Sequence, residues 1–405
     1  MLIQADAFHV PLPDQSVHCC VTSPPYWGLR KYAGEQGQEP LGLEPTPERH
    51  IERTVEWARE IYRVLRDDGV FWLNYGDCYS TTYGTTSYTG MNEHGSTGLP
   101  NQLKDRQTGI SQGNLMLMPH RVALALQADG WIVRQDLVWA KPNPMPESLS
   151  GWRWQDDKLR RGSWRHTRAH EYVFMLTKQM QYWSDQEAVR EAHQPDSIKR
   201  YEYGLHSSQA KEGIGVLRHN KTGGVFDSSR MGDFIQKSGR NPRSVLHIPT
   251  APYRGAHYAT FPPALLAPLI LSTCPRWCCP VCGQGWAPVV EHSNMVIDRS
   301  GRSERSGNRT DASGNMDEPA YNRTVGHRPT CDHPHTQAEA VSGTCFDPFV
   351  GSGTTVMVAR QLLRTGIGLD ISRPYIDEQA ILRIGDVPAD QKLEDLPLFR
   401  DNGRG

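Results

Sequence analysis

The sequence predicts an α/β fold, a doubly wound and largely parallel sheet. Three observations predict it. Between residues 17 and 140, short apolar runs alternate with helical stretches. Residues 344–370 read as a strand, a glycine turn, a helix and a second strand. No apolar run approaches the roughly 18 to 20 residues that a membrane span needs.

VHCCVT (17–22) is a β-branched run that stops at Ser23-Pro24-Pro25-Tyr26, because two prolines cannot continue a central strand. Residues 46–66 read as a helix capped by Thr46 and opened by Pro47, with Ile51, Val55, Ala58, Tyr62 and Leu65 as its apolar stripe. Gly69 is expected to end it, and VFWLNY (70–75) to form the next strand. Pro119 opens a second helix with Val122, Ala123 and Leu126 inward and Gly130 as its stop; 131–140 is another strand. Thr344–Phe346 is a strand, 347–353 a turn, 354–363 a helix ended by Gly366, and 367–369 a strand with Asp370 at its end. Three polar stretches, 76–114, 191–242 and 291–326, interrupt this pattern.

The formal charge of -1, from 44 Lys+Arg against 45 Asp+Glu, excludes a polycationic coat. Residues 151–245 nevertheless carry 17 Lys+Arg and 11 Asp+Glu, a local +6 that suits a nucleic-acid face. The opening MLIQADAFHV lacks the regions of a signal peptide, so a soluble intracellular protein is expected. Nine cysteines do not make a disulfide scaffold at this length.

The segment DPFVGSG (347–353) lets backbone approach a ligand closely, and Asp370 stands 19 positions after Gly351, where an acid can hold ribose hydroxyls. It lacks the Lys-Ser/Thr of a phosphate loop. An acid ahead of the glycines repels a pyrophosphate and suits a cationic ligand end, such as the sulfonium of S-adenosylmethionine. Ser23-Pro24-Pro25-Tyr26 stands beyond a strand's carboxyl end, with rigidly aimed carbonyls and an aromatic face. An extruded base with an exocyclic amine needs that set. Cys279-Pro-Val-Cys282 followed by Cys331-Asp-His333-Pro-His335 has the makings of a Cys₃His zinc site, with His333 or His335 as the fourth ligand; a redox thiol pair is the alternative.

Together the two motifs resemble the amino-group DNA methyltransferases, which carry (Asp/Asn/Ser)-Pro-Pro-(Tyr/Phe) at the target base and Phe-x-Gly-x-Gly at the cofactor. Their order here, catalytic first and cofactor last, is similar to the β class. LRDDGVFWLNYGD (65–77), LVWAKPNPMPES (137–148), HEYVFMLTK (170–178) and RSVLHIPTAPYRGAHYATFP (243–262) resemble family segments too. The resemblance implies a Rossmann-like methyltransferase sheet with circularly permuted motif order, a target-recognition insertion and a small zinc-knuckle insertion. It implies that Ser23, Pro24, Pro25 and Tyr26 hold and stack the target base. Asp347, Pro348, Phe349, Gly351, Ser352, Gly353 and Thr354 then form the cofactor loop, Asp370 holds the ribose, Asp6 and Ala7 touch the adenine, and His257, Thr260, Phe261 and Pro262 pack beside the methionine end. Serine in the first catalytic position leans toward N4 of cytosine, with N6 of adenine the alternative; an RNA methyltransferase and a non-enzymatic zinc-ribbon binder are more distant readings.

The expected domains are a catalytic half (1–150), a target-recognition region (151–245), a cofactor half (246–273 and 340–390), a zinc-knuckle insertion (274–339) and a tail (391–405). Expected cofactors are S-adenosylmethionine and a structural Zn²⁺, the latter held by Cys279, Cys282, Cys331 and His333. The expected partner is double-stranded DNA, with a cognate restriction endonuclease or a phage or host-defence context and no membrane. The expected protein is a cytoplasmic, prokaryotic or phage-encoded monomer or dimer.

Overall fold

The structure, a computed structural model, describes residues 1–28, 41–81, 84–86, 110–111, 113–147, 149–191, 240–251, 262–292, 296–297, 316–318 and 322–385. Its main sheet has eight strands: β1 (Leu2–Gln4), β2 (Val17–Thr22), β3 (Leu65–Tyr75), β4 (Ile132–Ala140), β5 (His170–Thr177), β6 (Val245–His247), β7 (Thr344–Asp347) and β8 (Thr365–Asp370). Their spatial order is β1-β8-β7-β2-β3-β5-β4-β6. All neighbours pair in parallel except β5, which runs antiparallel to both β3 and β4. The late strands β7 and β8 thus sit beside the early β2, with Cys345 opposite Cys19. Motifs more than 300 residues apart meet at one edge.

Helices cover both faces. α1 (Pro47–Val64) and α2 (Met118–Ala128) lie on one side, where Trp57 meets the Phe71 ring edge-on. On the other, α3 (Pro263–Thr273) accepts the Trp72 indole N–H at Thr273 Oγ1, 2.9 Å away. Phe71 and Trp72 are adjacent in β3, so pleat alternation sends one ring to each layer. That double covering is why β2 is buried at every position and reads as an unbroken apolar run. α4 (Thr354–Gln361) links β7 to β8.

Three sequence expectations are corrected. The buried stripe of α1 is His50, Thr54, Trp57, Ala58, Ile61 and Val64, one step round from the expected one, and Tyr62 is exposed. Second, α1 ends at Val64 and β3 begins at Leu65, so Gly69 lies within the strand. Third, α4 ends at Gln361, and Gly366 stands inside β8, where a Cβ would come within 2.9 Å of Val356. Both glycines serve close packing rather than helix termination.

The chain forms two compact units, one of 1–184, 243–285 and 331–405, the other of 185–242 and 286–330. Residues 151–184 therefore belong with the sheet. In the second unit, strands Ala287–His292 and Asn322–Arg328 pair antiparallel, and Glu191 pairs with Arg240 at 2.8 Å. No helix among the described residues is long and apolar enough to cross a membrane.

Candidate active site

β2 delivers Ser23-Pro24-Pro25-Tyr26 at its carboxyl end. The Ser23 hydroxyl donates to the Tyr26 hydroxyl at 2.8 Å, which donates to Glu171 Oε2 at 3.1 Å. Asn74 Nδ2 donates to both Tyr26 and Glu171. The Tyr26 ring stacks on Tyr75, centroids 4.8 Å apart. Gly76 lets the ring lie there, since a Cβ would approach it to 2.8 Å.

Glu171, Lys141 and Asn74 lie within segments that resemble the family's, but nothing in those segments assigns them a role. β5 runs backwards, so its first residues reach the carboxyl edge shared by β2 and β3. Burial pushes the Glu171 carboxyl up, but Lys141, Asn74 and Tyr26 together hold it below the usual carboxylate range. A polar pair heading an otherwise apolar strand, His170-Glu171, was the available signal. Behind Tyr75 lies a second buried group: His50 bridges Glu44 Oε2, 2.7 Å away, and the Tyr75 hydroxyl.

The glycine turn follows β7. The Asp347 carboxylate is 2% exposed and is tied by Thr22 Oγ1 (2.6 Å), Thr355 Oγ1 (2.7 Å) and the Phe349 N–H (3.1 Å). It welds β2, β7 and the start of α4 into one corner. Asp370, at the end of β8, accepts from the Gly351 N–H (3.0 Å) and the Ser372 N–H (2.8 Å). Gly351 and Gly353 adopt φ of +47° and +81°, the left-handed region glycine favours. Pro348 and Thr354 are buried, Phe349 packs edge-on against Trp57, and Arg383 donates to the Ser352 hydroxyl. Asp6 accepts from the Phe8 N–H, Ala7 is buried, and Pro262 caps α3. His257, Thr260 and Phe261 lie outside the described residues.

Burial, with the charge of Asp370 adding, pushes Asp347 up from 3.8 to about 6. A raised folded pKa favours folding below the unfolded value and loses that contribution as pH rises through about 6. The charged carboxylate therefore costs stability at neutral pH. Asp347→Asn is expected to be more stable than wild type by up to about 3 kcal/mol near pH 7.5, the gain shrinking toward zero near about pH 4. Urea unfolding at both pH values checks this; a pH-independent difference refutes it.

The opposite, amino edge carries the cysteine cluster. The ligand atoms of Cys279, Cys282, Cys331 and His333 lie within 4.8 Å of one another. The Val281 N–H donates to Cys279 Sγ at 3.4 Å, and the Gly283 N–H closes the turn on the Cys279 carbonyl at 2.9 Å. Gly283, at φ +70°, in turn accepts from His18 Nε2 at 2.7 Å, while His18 Nδ1 accepts from the Thr344 N–H at 3.0 Å. That contact fixes the His18 tautomer and bolts the turn to the first residues of β2 and β7. Arg66, at the start of β3, donates to the Cys282 carbonyl at 2.9 Å. His335 Nδ1 donates to the His333 carbonyl at 2.7 Å and lies 3.8 Å from Cys279 Sγ.

Residues 17–277 and 336–381 match the N6/N4 methyltransferase family, described as DNA methylase. The chain is 37% identical over 274 residues to the Type II methyltransferase M.Cfr9I of Citrobacter freundii, covering 67% of this chain and 72% of that protein. It is 28% identical over 375 residues to M.SmaI of Serratia marcescens, covering 92% and 86%. The solved PvuII cytosine-N4-specific DNA methyltransferase aligns with 97% of this chain and 88% of its own at 14% identity and a TM-score of 0.45. The family match takes in both the Ser23–Tyr26 corner and the Asp347–Asp370 turn, and the chain belongs to the N6/N4 DNA methylases.

Proposed function

We propose that the protein transfers a methyl group from S-adenosylmethionine to the exocyclic N4 amine of cytosine at a specific site in duplex DNA. Ser23 carries the choice of base: its short hydroxyl stands where adenine enzymes more often have Asp. Two features support the ligands. The strand ends beside the glycine turn bear Asp347 and Asp370, an acidic set that suits a cationic cofactor. Asn74 Oδ1, next to Tyr26, is a buried acceptor that no donor among the described residues meets, which suits an amine-bearing base.

In this reading the turn from Asp347 to Thr354 holds the cofactor, Asp370 the ribose, Asp6 and Ala7 the adenine, and His257 to Pro262 the methionine end. When bound, S-adenosylmethionine supplies an electrophilic methyl on its sulfonium. Ser23 and the Pro24 carbonyl accept the amine's two N–H groups, with Asn74 Oδ1 sharing one of them, and draw its lone pair out of conjugation; the proton that the methylated amine sheds passes to water. Tyr26 offers the stacking face, and Glu171 with Lys141 fixes its hydroxyl. Positioning supplies most of the acceleration. Cys19 and Cys20 are buried in β2 and are not nucleophiles.

Unmethylated plasmid incubated with protein and cofactor, digested and analysed by mass spectrometry, is expected to contain N4-methylcytosine. N6-methyladenine as the sole product refutes the base; methyl transfer to RNA but not DNA refutes the substrate. Relatives named as Type II methyltransferases support a restriction-modification setting with a cognate endonuclease. A structural zinc on Cys279, Cys282, Cys331 and His333 completes the proposal; the N–H···S contact and the tight turn at Gly283 suit a thiolate knuckle.

A further inference from the structure

Between β4 and β5 the chain leaves the sheet and returns at one point. Ala140 pairs with His170, and the Lys141 N–H bonds the Ala169 carbonyl at 2.7 Å. The excursion therefore springs from the carboxyl edge, beside the Lys141–Glu171 pair that holds Tyr26. It contains a two-stranded hairpin, Trp152–Gln155 against Lys158–Arg161. Asp156 and Asp157 form its turn with φ of +50° and +54°. Two positive values in a two-residue loop match the twist of a hairpin. The base is braced: Arg165 pairs with Glu147 and lies 3.7 Å over the Tyr79 ring.

The described side chains of the hairpin are all exposed. Trp152 is 60% exposed, Trp154 74% and Leu159 53%. Trp154 stands opposite Leu159, and Trp152 shares its face two residues away. An isolated hairpin with an exposed aromatic face is marginal alone and marks an interaction surface. The charge identifies the partner. Residues 151–168 hold six Lys/Arg against two Asp, a net +4 on a chain of net -1. Lys158 and Arg160 are exposed on the returning strand. The register puts Arg161 beside the rings and Lys158 and Arg160, the latter 3.5 Å from Asp156, on the opposite face, so one side offers aromatic surface to bases and the other cations to phosphates. Four residues per strand reach about 13 Å, more than the ~8.5 Å depth of a major groove that admits such a ribbon.

We infer that the Trp152–Arg161 hairpin is the element that enters duplex DNA beside the target base, with Trp152 and Trp154 stacking on the bases that extrusion of the target leaves unstacked and Lys158 and Arg160, on the opposite face, meeting phosphates. This rests on the DNA-methylating reading above. It goes further in assigning sequence-tolerant grip to two tryptophans rather than to the basic stretch as a whole.

The test compares wild type, Trp152→Ala/Trp154→Ala and Lys158→Ala/Arg160→Ala as full chains. Affinity for unmethylated plasmid fragments is measured across a salt series, with methyl transfer and thermal stability alongside. The tryptophan variant is expected to lose about tenfold or more per ring in affinity with its salt slope unchanged. The charge variant is expected to flatten the slope by about one for each phosphate no longer neutralised. Both keep the wild-type melting temperature, because the side chains are exposed. A tryptophan variant that binds and methylates like wild type overturns the hairpin's role. So does a wild type that self-associates through the hairpin while the variant is monomeric with unchanged DNA affinity. A wild type that methylates no duplex sinks the underlying reading instead, and the hairpin proposal with it.

Discussion

Tyr26→Ala is expected to lower methyl transfer by about 100-fold or more while S-adenosylmethionine affinity stays within about threefold of wild type. The hydroxyl is the meeting point of Ser23, Asn74 and Glu171, and the ring rests on Tyr75. Removing it leaves the Ser23 hydroxyl without its acceptor, costs Asn74 and Glu171 one bond each and takes away the stacking face at once. None of the hydrogen bonds of the Asp347 corner involves Tyr26, so cofactor binding has no reason to follow. Asp347→Ala is the mirror case. It leaves the Thr22 and Thr355 hydroxyls without their acceptor and unties the turn, and is expected to lose most cofactor binding. Asp347 is a positioning residue in this account, since its oxygens face protein donors; calorimetry with the cofactor separates the two variants. Equal cofactor affinity for wild type and Asp347→Ala counts against the assignment.

How much of this was readable beforehand depended on whether a local signal existed. The turn after β7 was legible because glycines with positive φ and an acid at each strand end have few other uses. The Ser23–Tyr26 corner was legible because two prolines stop a strand in a place a fold does not need them. α1 was legible as a helix, but its facing was not. Its buried stripe includes His50 and Thr54, which periodicity counts as polar. His50 is buried because Glu44 and Tyr75 satisfy both its nitrogens, and Glu44 comes from a loop without pattern. Glu171 was hidden for a different reason. Only the reversed direction of β5 places its first residues at the active edge, and strand direction is a property of the whole sheet. Gly69 and Gly366 were misread because glycine ends helices and admits close neighbours by the same lack of a Cβ.

Cys282→Ser is expected to release one zinc per chain and to lower stability by about 4 kcal/mol, about 10 °C in melting temperature, with little change in the transfer rate of the folded fraction. The argument is one of place. The four candidate ligands come from two segments, Cys279–Cys282 and Cys331–His333, so a metal held there would tie the two segments together. From there the force passes through His18 to the first residues of β2 and β7, and through Arg66 to β3. In the proposed function all three strands carry their chemistry at the far, carboxyl end. Losing the metal therefore loosens the sheet's amino edge before it disturbs Ser23 or Asp347. The histidines separate ligand from support. His333→Ala is expected to behave like Cys282→Ser. His335→Ala is expected to keep the metal but bind it more weakly, because its ring bonds the His333 carbonyl and lies against the Cys279 sulfur. Metal analysis of the purified chain and its three variants decides the matter: wild type without stoichiometric zinc removes the site altogether, and a His335→Ala protein without metal alongside a zinc-replete His333→Ala exchanges the two roles.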